Sequence, residues 1–209
     1  MDRTVQDQLD TLARDVFACD RCAVAGHLAE AHPVIWGPVA GRNMVIGQAP
    51  ARDAHLAPGP WQGATGRLMR QWFARAGFDP DRFYDDWYFT SITKCFPGKS
   101  ASGNGDRAPS GKERALCRPH LDTELALVRP PLILTMGRLA AEAVIPGARS
   151  LSLKDLVGTV RTVELPHGEV PVVPLPHPSG VGRWLNDPDN RALVDRAMDA
   201  LAELRSVPA

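Results

Sequence analysis

The sequence predicts an α/β fold: a three-layer sandwich with a central, mainly parallel β-sheet flanked by helices. Two observations carry the prediction. Short apolar runs that read as buried strands recur along the chain, and segments with helical apolar spacing separate them. Length supplies a third bound, because 209 residues at 44% hydrophobic and 23% charged suit one well-cored domain over 1–209.

The elements follow in order. Val5, Leu9, Leu12, Val16 and Phe17 recur at helical spacing, which predicts a first helix delivering Cys19 and Cys22 at its C-terminal end. Met44, Val45 and Ile46 form a short buried strand, stopped by Gly47-Gln48-Ala49-Pro50. A helix over 65–76 puts Leu68, Met69, Trp72 and Phe73 on one stripe. Residues 87–93 are rich in aromatic and β-branched types and make the next strand, which ends at Lys94-Cys95. Ser110 caps a helix that runs to about 128 and carries Cys117 near its middle.

Residues 132–136 form another buried strand, and Gly137 opens a short helix from Arg138. Residues 157–165 read as a strand or hairpin arm. The run 170–175 leads into His177-Pro178-Ser179-Gly180, and Pro171 and Pro174 demote it toward an edge or a strand end, since proline offers no ladder donor. A final helix covers about 188–204. Ligands of such folds bind outside the carboxyl ends of the strands. Gly47-Gln48-Ala49-Pro50, residues 91–94 and His177-Pro178-Ser179 all fall at such ends.

Four cysteines add chemistry to this frame. Cys19 and Cys22 form a CxxC, completed far downstream by Cys95 and Cys117, each followed by proline within two residues. The layout departs from two facing zinc knuckles and suits a four-ligand inorganic site assembled from three places in the fold, with zinc still open. No apolar run approaches the roughly 20 residues that span a bilayer, and the start, Met1-Asp2-Arg3-Thr4, lacks a basic-then-apolar layout. The expected location is therefore cytoplasmic, where thiols are more often ligands or buried side chains than disulfides.

Net charge is zero, so any nucleic-acid face must be local. Between residues 91 and 120, Lys94, Lys99, Arg107, Lys112, Arg114 and Arg118 face only Asp106 and Glu113. This excess surrounds the Gly/Ser-rich stretch 98–106, whose small residues let backbone amides approach phosphates. A solvated loop is the plain alternative.

Together these pieces resemble the uracil-DNA glycosylase superfamily, specifically its iron–sulfur branch. The likeness rests on Gly47-Gln48-Ala49-Pro50-Ala51 after a strand, Pro60-Trp61-Gln62-Gly63-Ala64-Thr65-Gly66, the His177-Pro178-Ser179 motif and the cysteine pattern, in matching order over most of the chain. The resemblance implies a 4Fe-4S cluster on Cys19, Cys22, Cys95 and Cys117, DNA containing uracil or related damaged bases as partner, and a monomer. It implies Trp61 as the face on which the base stacks and backbone amides around Gln48 and Ala49 as carbonyl binders, with Gly47, Pro50, Ser91 and Ser179 beside them as further substrate-binding residues. His177 would be the donor to the departing base. The segment 180–184 would enter the duplex, with Val181 as a wedge and Arg183 on a phosphate.

Two positions depart from the family. Gln48 stands where relatives position water with an acidic residue or asparagine; the resemblance assigns the attacking water to Gln48, which can orient it but takes no proton, with Asp53 and His55 in reserve as the nearest titratable substitutes. Ser91 stands where family-four members carry a uracil-reading asparagine, and a hydroxyl cannot make a two-pronged amide contact. The first motif looks closer to the family-five version, with its less polar pocket and broader set of damaged bases. The expected activity is hydrolysis of the N-glycosidic bond of uracil in DNA, without a lyase step. The rival is a cluster-bearing protein that binds uracil or abasic DNA with little turnover.

Overall fold

A computed structural model of the chain describes residues 3–37, 39–103, 105–179 and 183–205. Its elements run α1 (Arg3–Phe17), α2 (Arg21–Val24), β1 (Asn43–Gly47), α3 (Gly63–Arg75), β2 (Trp87–Ser91), α4 (Gly111–Val128), β3 (Ile133–Met136), α5 (Arg138–Val144), α6 (Leu153–Leu156), β4 (Arg161–Leu165), β5 (Gly168–Leu175) and α7 (Pro188–Arg205). The strands form one sheet in the order β2-β1-β3-β5-β4. Every pairing is parallel except that of β4 with β5.

Alternate residues of each inner strand feed opposite cores. Met44, Ile46, Tyr88, Ile133 and Val172 pack with α1, α4 and α5, while Val45, Phe89, Leu134, Val173 and Leu175 pack with α3 and α7. The result is the expected three-layer, mainly parallel sandwich. Among the described residues no helix is long and apolar enough to cross a membrane.

Local chemistry explains where elements begin. Ser110 and Glu113 close a reciprocal capping box at the start of α4, and Ser152 and Asp155 do the same for the single turn of α6, which the sequence reading missed. Residues 157–160, expected as strand, instead leave α6 through a turn in which Gly158 has φ +81°, so β4 starts only at Arg161.

The edge position expected for β5 is overturned, since β5 lies between β3 and β4. The prolines are accommodated by placement. The Gly137 N–H donates to the Leu175 carbonyl on the β3 side, so alternation turns Leu175, Val173 and Pro171 toward β3, and Pro174 and Val172 toward β4. Pairing with β3 begins at Val172, after Pro171, and pairing with β4 ends at Val172, before Pro174. Each proline therefore faces beyond the end of the neighbour that would have needed its N–H.

β1 connects to β2 on one side, and the chain then crosses to β3 on the other, so the strand order reverses at β1. That switch point opens a crevice at the carboxyl ends of β1, β2, β3 and β5.

Candidate active site and cysteine cavity

A cleft of ≈ 620 Å³ occupies this crevice. Gly47, Ala49, Pro50, Asp53, Trp61, Ser91, His177 and Ser179 from the sequence reading line it, together with Trp36, Arg52, Thr65, Thr90, Lys99 and Asp106, which that reading had not placed there. Gln48 and His55 are not among the lining residues, and His55 instead stacks on His32 with ring centroids 4.6 Å apart. Arg183 is exposed on the turn Arg183–Asn186, away from the lining, and Gly180, Val181 and Gly182 of the expected inserting segment lie outside the described residues. A larger groove of ≈ 900 Å³ between α1 and α4 presents Asp7, Asp15 and Asp20, which would repel a polyanion.

Trp61 is held in an unusual backbone state, with φ 55°. A bulky residue in the left-handed region costs on the order of 1–3 kcal/mol and persists only where its surroundings dictate it. Here the Tyr84 hydroxyl donates to the Pro60 carbonyl at 2.8 Å and accepts from Gln62 Nε2 at 2.9 Å, and the same amide also reaches the Gly59 carbonyl. Gly66 completes the clamp. A β-carbon there would sit 1.6 Å from the Trp61 carbonyl oxygen. At the other end of the side chain, the indole lies over the end of β1, where a β-carbon on Gly47 would come within 3.2 Å of Trp61 Cζ2. The strain thus presents the indole to the cleft, 5.4 Å from the His177 ring between centroids.

His177 follows the end of β5. Its Nδ1 accepts the Ser179 N–H at 3.2 Å, so in the neutral ring the proton sits on Nε2 and that atom is the donor. The ring is open to the cleft by accessible surface yet has protein on most sides. The crowding pushes its pKa below the ordinary 6.5, while the open side admits water that moderates the shift. Across the cleft the Ser91 hydroxyl donates to the Thr93 carbonyl at 2.7 Å. Its single proton is committed there, and only lone pairs remain for a ligand.

The local excess of basic residues is largely neutralised, which corrects the window count. Lys94 meets Glu124, Lys99 meets Asp106, Arg107 meets Glu113, Arg114 meets Glu142 and Arg118 meets Asp122. Three of those carboxylates lie outside the window. What the loop does supply is Lys99 and Asp106, bridged as an antiparallel pair and both on the cleft wall. Lys99 and Arg52 also flank the Phe96 ring at 6.0 and 5.9 Å from its centroid.

All four cysteines are free thiols and line one cavity behind the cleft. They arrive as predicted from three places. Cys19 follows α1, with its N–H on the Val16 carbonyl, Cys22 lies in α2, Cys95 follows β2 and Cys117 is buried in α4. Burial first, then the neighbouring thiols with Cys117 foremost, pushes Cys95 up to about 12 and Cys22 up to about 11. The Lys94 N–H donates to Cys117 Sγ at 3.2 Å. Among the described residues, however, no three His, Cys, Asp or Glu side chains are grouped closely enough to hold one metal ion.

The model of the family described as "Uracil DNA glycosylase superfamily" matches residues 35–202. A curated "Type-4 uracil-DNA glycosylase" of Archaeoglobus fulgidus is 27% identical over 177 residues, covering 84% of this chain and 83% of that protein. A protein of the same name from Sulfurisphaera tokodaii is 25% identical over 205 residues, covering 97% and 87%. Another, from Pyrobaculum aerophilum, is 26% identical over 167 residues, covering 79% and 80%.

Proposed function

Because the chain belongs to the uracil DNA glycosylase superfamily, we propose that it hydrolyses the N-glycosidic bond of uracil in DNA and leaves an abasic site, with the cleft at the carboxyl ends of the strands as its active site. The observation that carries this reading is the convergence of Trp61, Ser91 and His177 on that one cleft. A base drawn out of the stack needs an aromatic face and edge contacts, and these three residues offer a face, an acceptor and a donor.

Trp61 stacks on the flipped ring. The Ser91 oxygen accepts the ring N3–H of uracil, whereas cytosine would bring a nitrogen lone pair against it. As the bond from C1′ to N1 breaks, its electron pair passes to the ring and its carbonyl oxygens, and the His177 Nε2–H stabilises that charge as a neutral donor. Water supplies the hydroxyl that bonds to C1′, and its remaining proton ends on the departing uracil anion. Asp53 is the carboxylate on the cleft wall suited to orient that water, and its side chain does not cap the adjacent turn Ala54–Leu56. Arg52 and Lys99 at the rim suit the phosphates.

The cysteine cavity suits a 4Fe-4S cluster held by Cys19, Cys22, Cys95 and Cys117, since four thiols from three segments line it and the Lys94 N–H already donates to one of the sulfurs. With all four positions taken by thiolates, the group would brace these segments and leave no open iron for substrate. Protein purified without oxygen should carry about four iron and four sulfide per chain, and Cys117→Ala should lose both together with the brown absorbance. Stoichiometric zinc in a colourless protein would refute the cluster assignment.

The activity itself is tested on end-labelled DNA with one uracil opposite guanine, and on the single strand. Strand breaks that require alkali and free uracil in equal amount are the expected products. Tight binding to uracil or abasic DNA without breaks would replace hydrolysis with recognition alone.

A further inference from the structure

Between cleft and cysteine cavity lies a buried ion pair that the reaction as described above does not use. Lys94 is 2% exposed and Glu124 is fully buried, with Nζ 2.5 Å from Oε2. Each bonding position of the ammonium is taken, since it also donates to Thr90 Oγ1 at 2.6 Å and to the Ser91 carbonyl at 2.8 Å. Glu124 is likewise engaged by the Tyr88 hydroxyl at 2.6 Å and the Thr90 hydroxyl at 2.9 Å.

The main chain of Lys94 faces two other ways. Its N–H reaches Cys117 Sγ at 3.2 Å, and its carbonyl accepts the Val34 N–H at 2.7 Å, two residues before Trp36 on the cleft wall. One residue therefore joins the cysteine cavity, the Trp36 strap and the last two residues of β2, both of which line the cleft. A buried pair of this kind is weak evidence for stability, because well-packed apolar side chains commonly serve as well. What apolar replacements cannot do is hold the Ser91 carbonyl and, through that turn, the direction of the Ser91 hydroxyl.

We propose that Lys94, paired with Glu124, is a positioning residue that fixes the Ser91 acceptor for base recognition in the transition state and ties that placement to the wall of the cysteine cavity. The inference rests on the glycosylase reading of the cleft. Stacking on Trp61 and contacts to phosphate come from other segments, so loss of the pair should fall on kcat more than on KM. Small displacements of positioning groups are expensive in rate.

The test uses the iron-loaded full chain, with kcat and KM on uracil DNA, melting temperature, and iron and sulfide content measured together. Lys94→Met/Glu124→Leu removes both charges at similar volume. The expected outcome is a lowered melting temperature with a cooperative transition, since the Tyr88 and Thr90 hydroxyls and the Ser91 carbonyl lose buried partners, unchanged iron because the bond to Cys117 comes from the main chain, kcat lower by roughly tenfold, and KM within about threefold. Unchanged kcat, or a loss carried entirely by KM, overturns the proposal. If that double variant does not fold, Glu124→Gln decides: it keeps shape and acceptor but weakens the hold on Nζ, and a several-fold fall in kcat at constant KM is required. Wild-type protein that excises no uracil would refute the glycosylase reading, whereas active wild type with unchanged variants would refute only the positioning role.

Discussion

Gly66→Ala lowers kcat/KM on uracil DNA by roughly a hundredfold and destabilises the fold by about 2–3 kcal/mol, because it drives the aromatic wall out of the cleft. The added β-carbon would lie 1.6 Å from the Trp61 carbonyl oxygen and 2.7 Å from its carbonyl carbon. Both are main-chain atoms, so no rotamer change relieves the clash. Either α3 or the segment 59–62 must move. The latter is already held at φ 55° by Tyr84 and Gln62, and it yields first. Gly111→Ala is the control, since a β-carbon there meets nothing within 4 Å at the start of a helix, and it should leave activity and melting unchanged or slightly raise stability. Measured kcat/KM, melting and tryptophan fluorescence decide the matter. Wild-type activity in Gly66→Ala would mean that the Trp61 turn relaxes without moving the indole.

Gly66 closes the motif segment that begins at Pro60, yet the motif alone assigns it no role, and the reason also explains the pattern of success elsewhere. Its backbone is ordinary helix, and only the approach of a second segment makes it indispensable. Strand and helix order was legible because inner strands such as Met44-Val45-Ile46 must be apolar on both faces, a one-dimensional signal. The placement of β5 was not. Whether a proline disrupts a ladder depends on which neighbour its nitrogen faces and where that neighbour ends, and neither is encoded locally. Charge failed for a like reason, since Lys94 and Arg114 find carboxylates far along the chain in Glu124 and Glu142, while Arg118 finds Asp122 one helical turn on, just past the stretch that was counted. In the candidate site, motif residues at strand ends reached the cleft, whereas Gln48, one residue past Gly47, is turned out of its lining. Trp36, followed directly by Gly37 in a loop, was missed because it lies in none of the motifs that singled out Trp61.

His177→Ala should reduce kcat on uracil DNA by roughly 10²–10³-fold, the scale of losing one preorganised donor to developing negative charge. Binding of abasic DNA should hardly change, and His177→Gln, which can present an amide N–H, should recover part of the rate. The form of the ring matters as much as its presence. The Ser179 N–H occupies Nδ1, so the working imidazole is neutral, and adding a proton at Nδ1 breaks that bond. Burial holds the folded pKa below 6.5, so kcat should stay level as pH falls from 7 to 6.5 and decline only below it, at the folded value. The stability linkage has a fixed sign. Between the two pKa values the unfolded chain binds a proton that the folded chain refuses, so this contribution to stability is complete above about 6.5 and is lost as pH falls through the folded pKa. His120, also lowered by burial, acts in the same direction. An acid limb centred at or above 6.5, or one that survives in His177→Ala, would show that the neutral donor is not the group that carries the charge of the departing base.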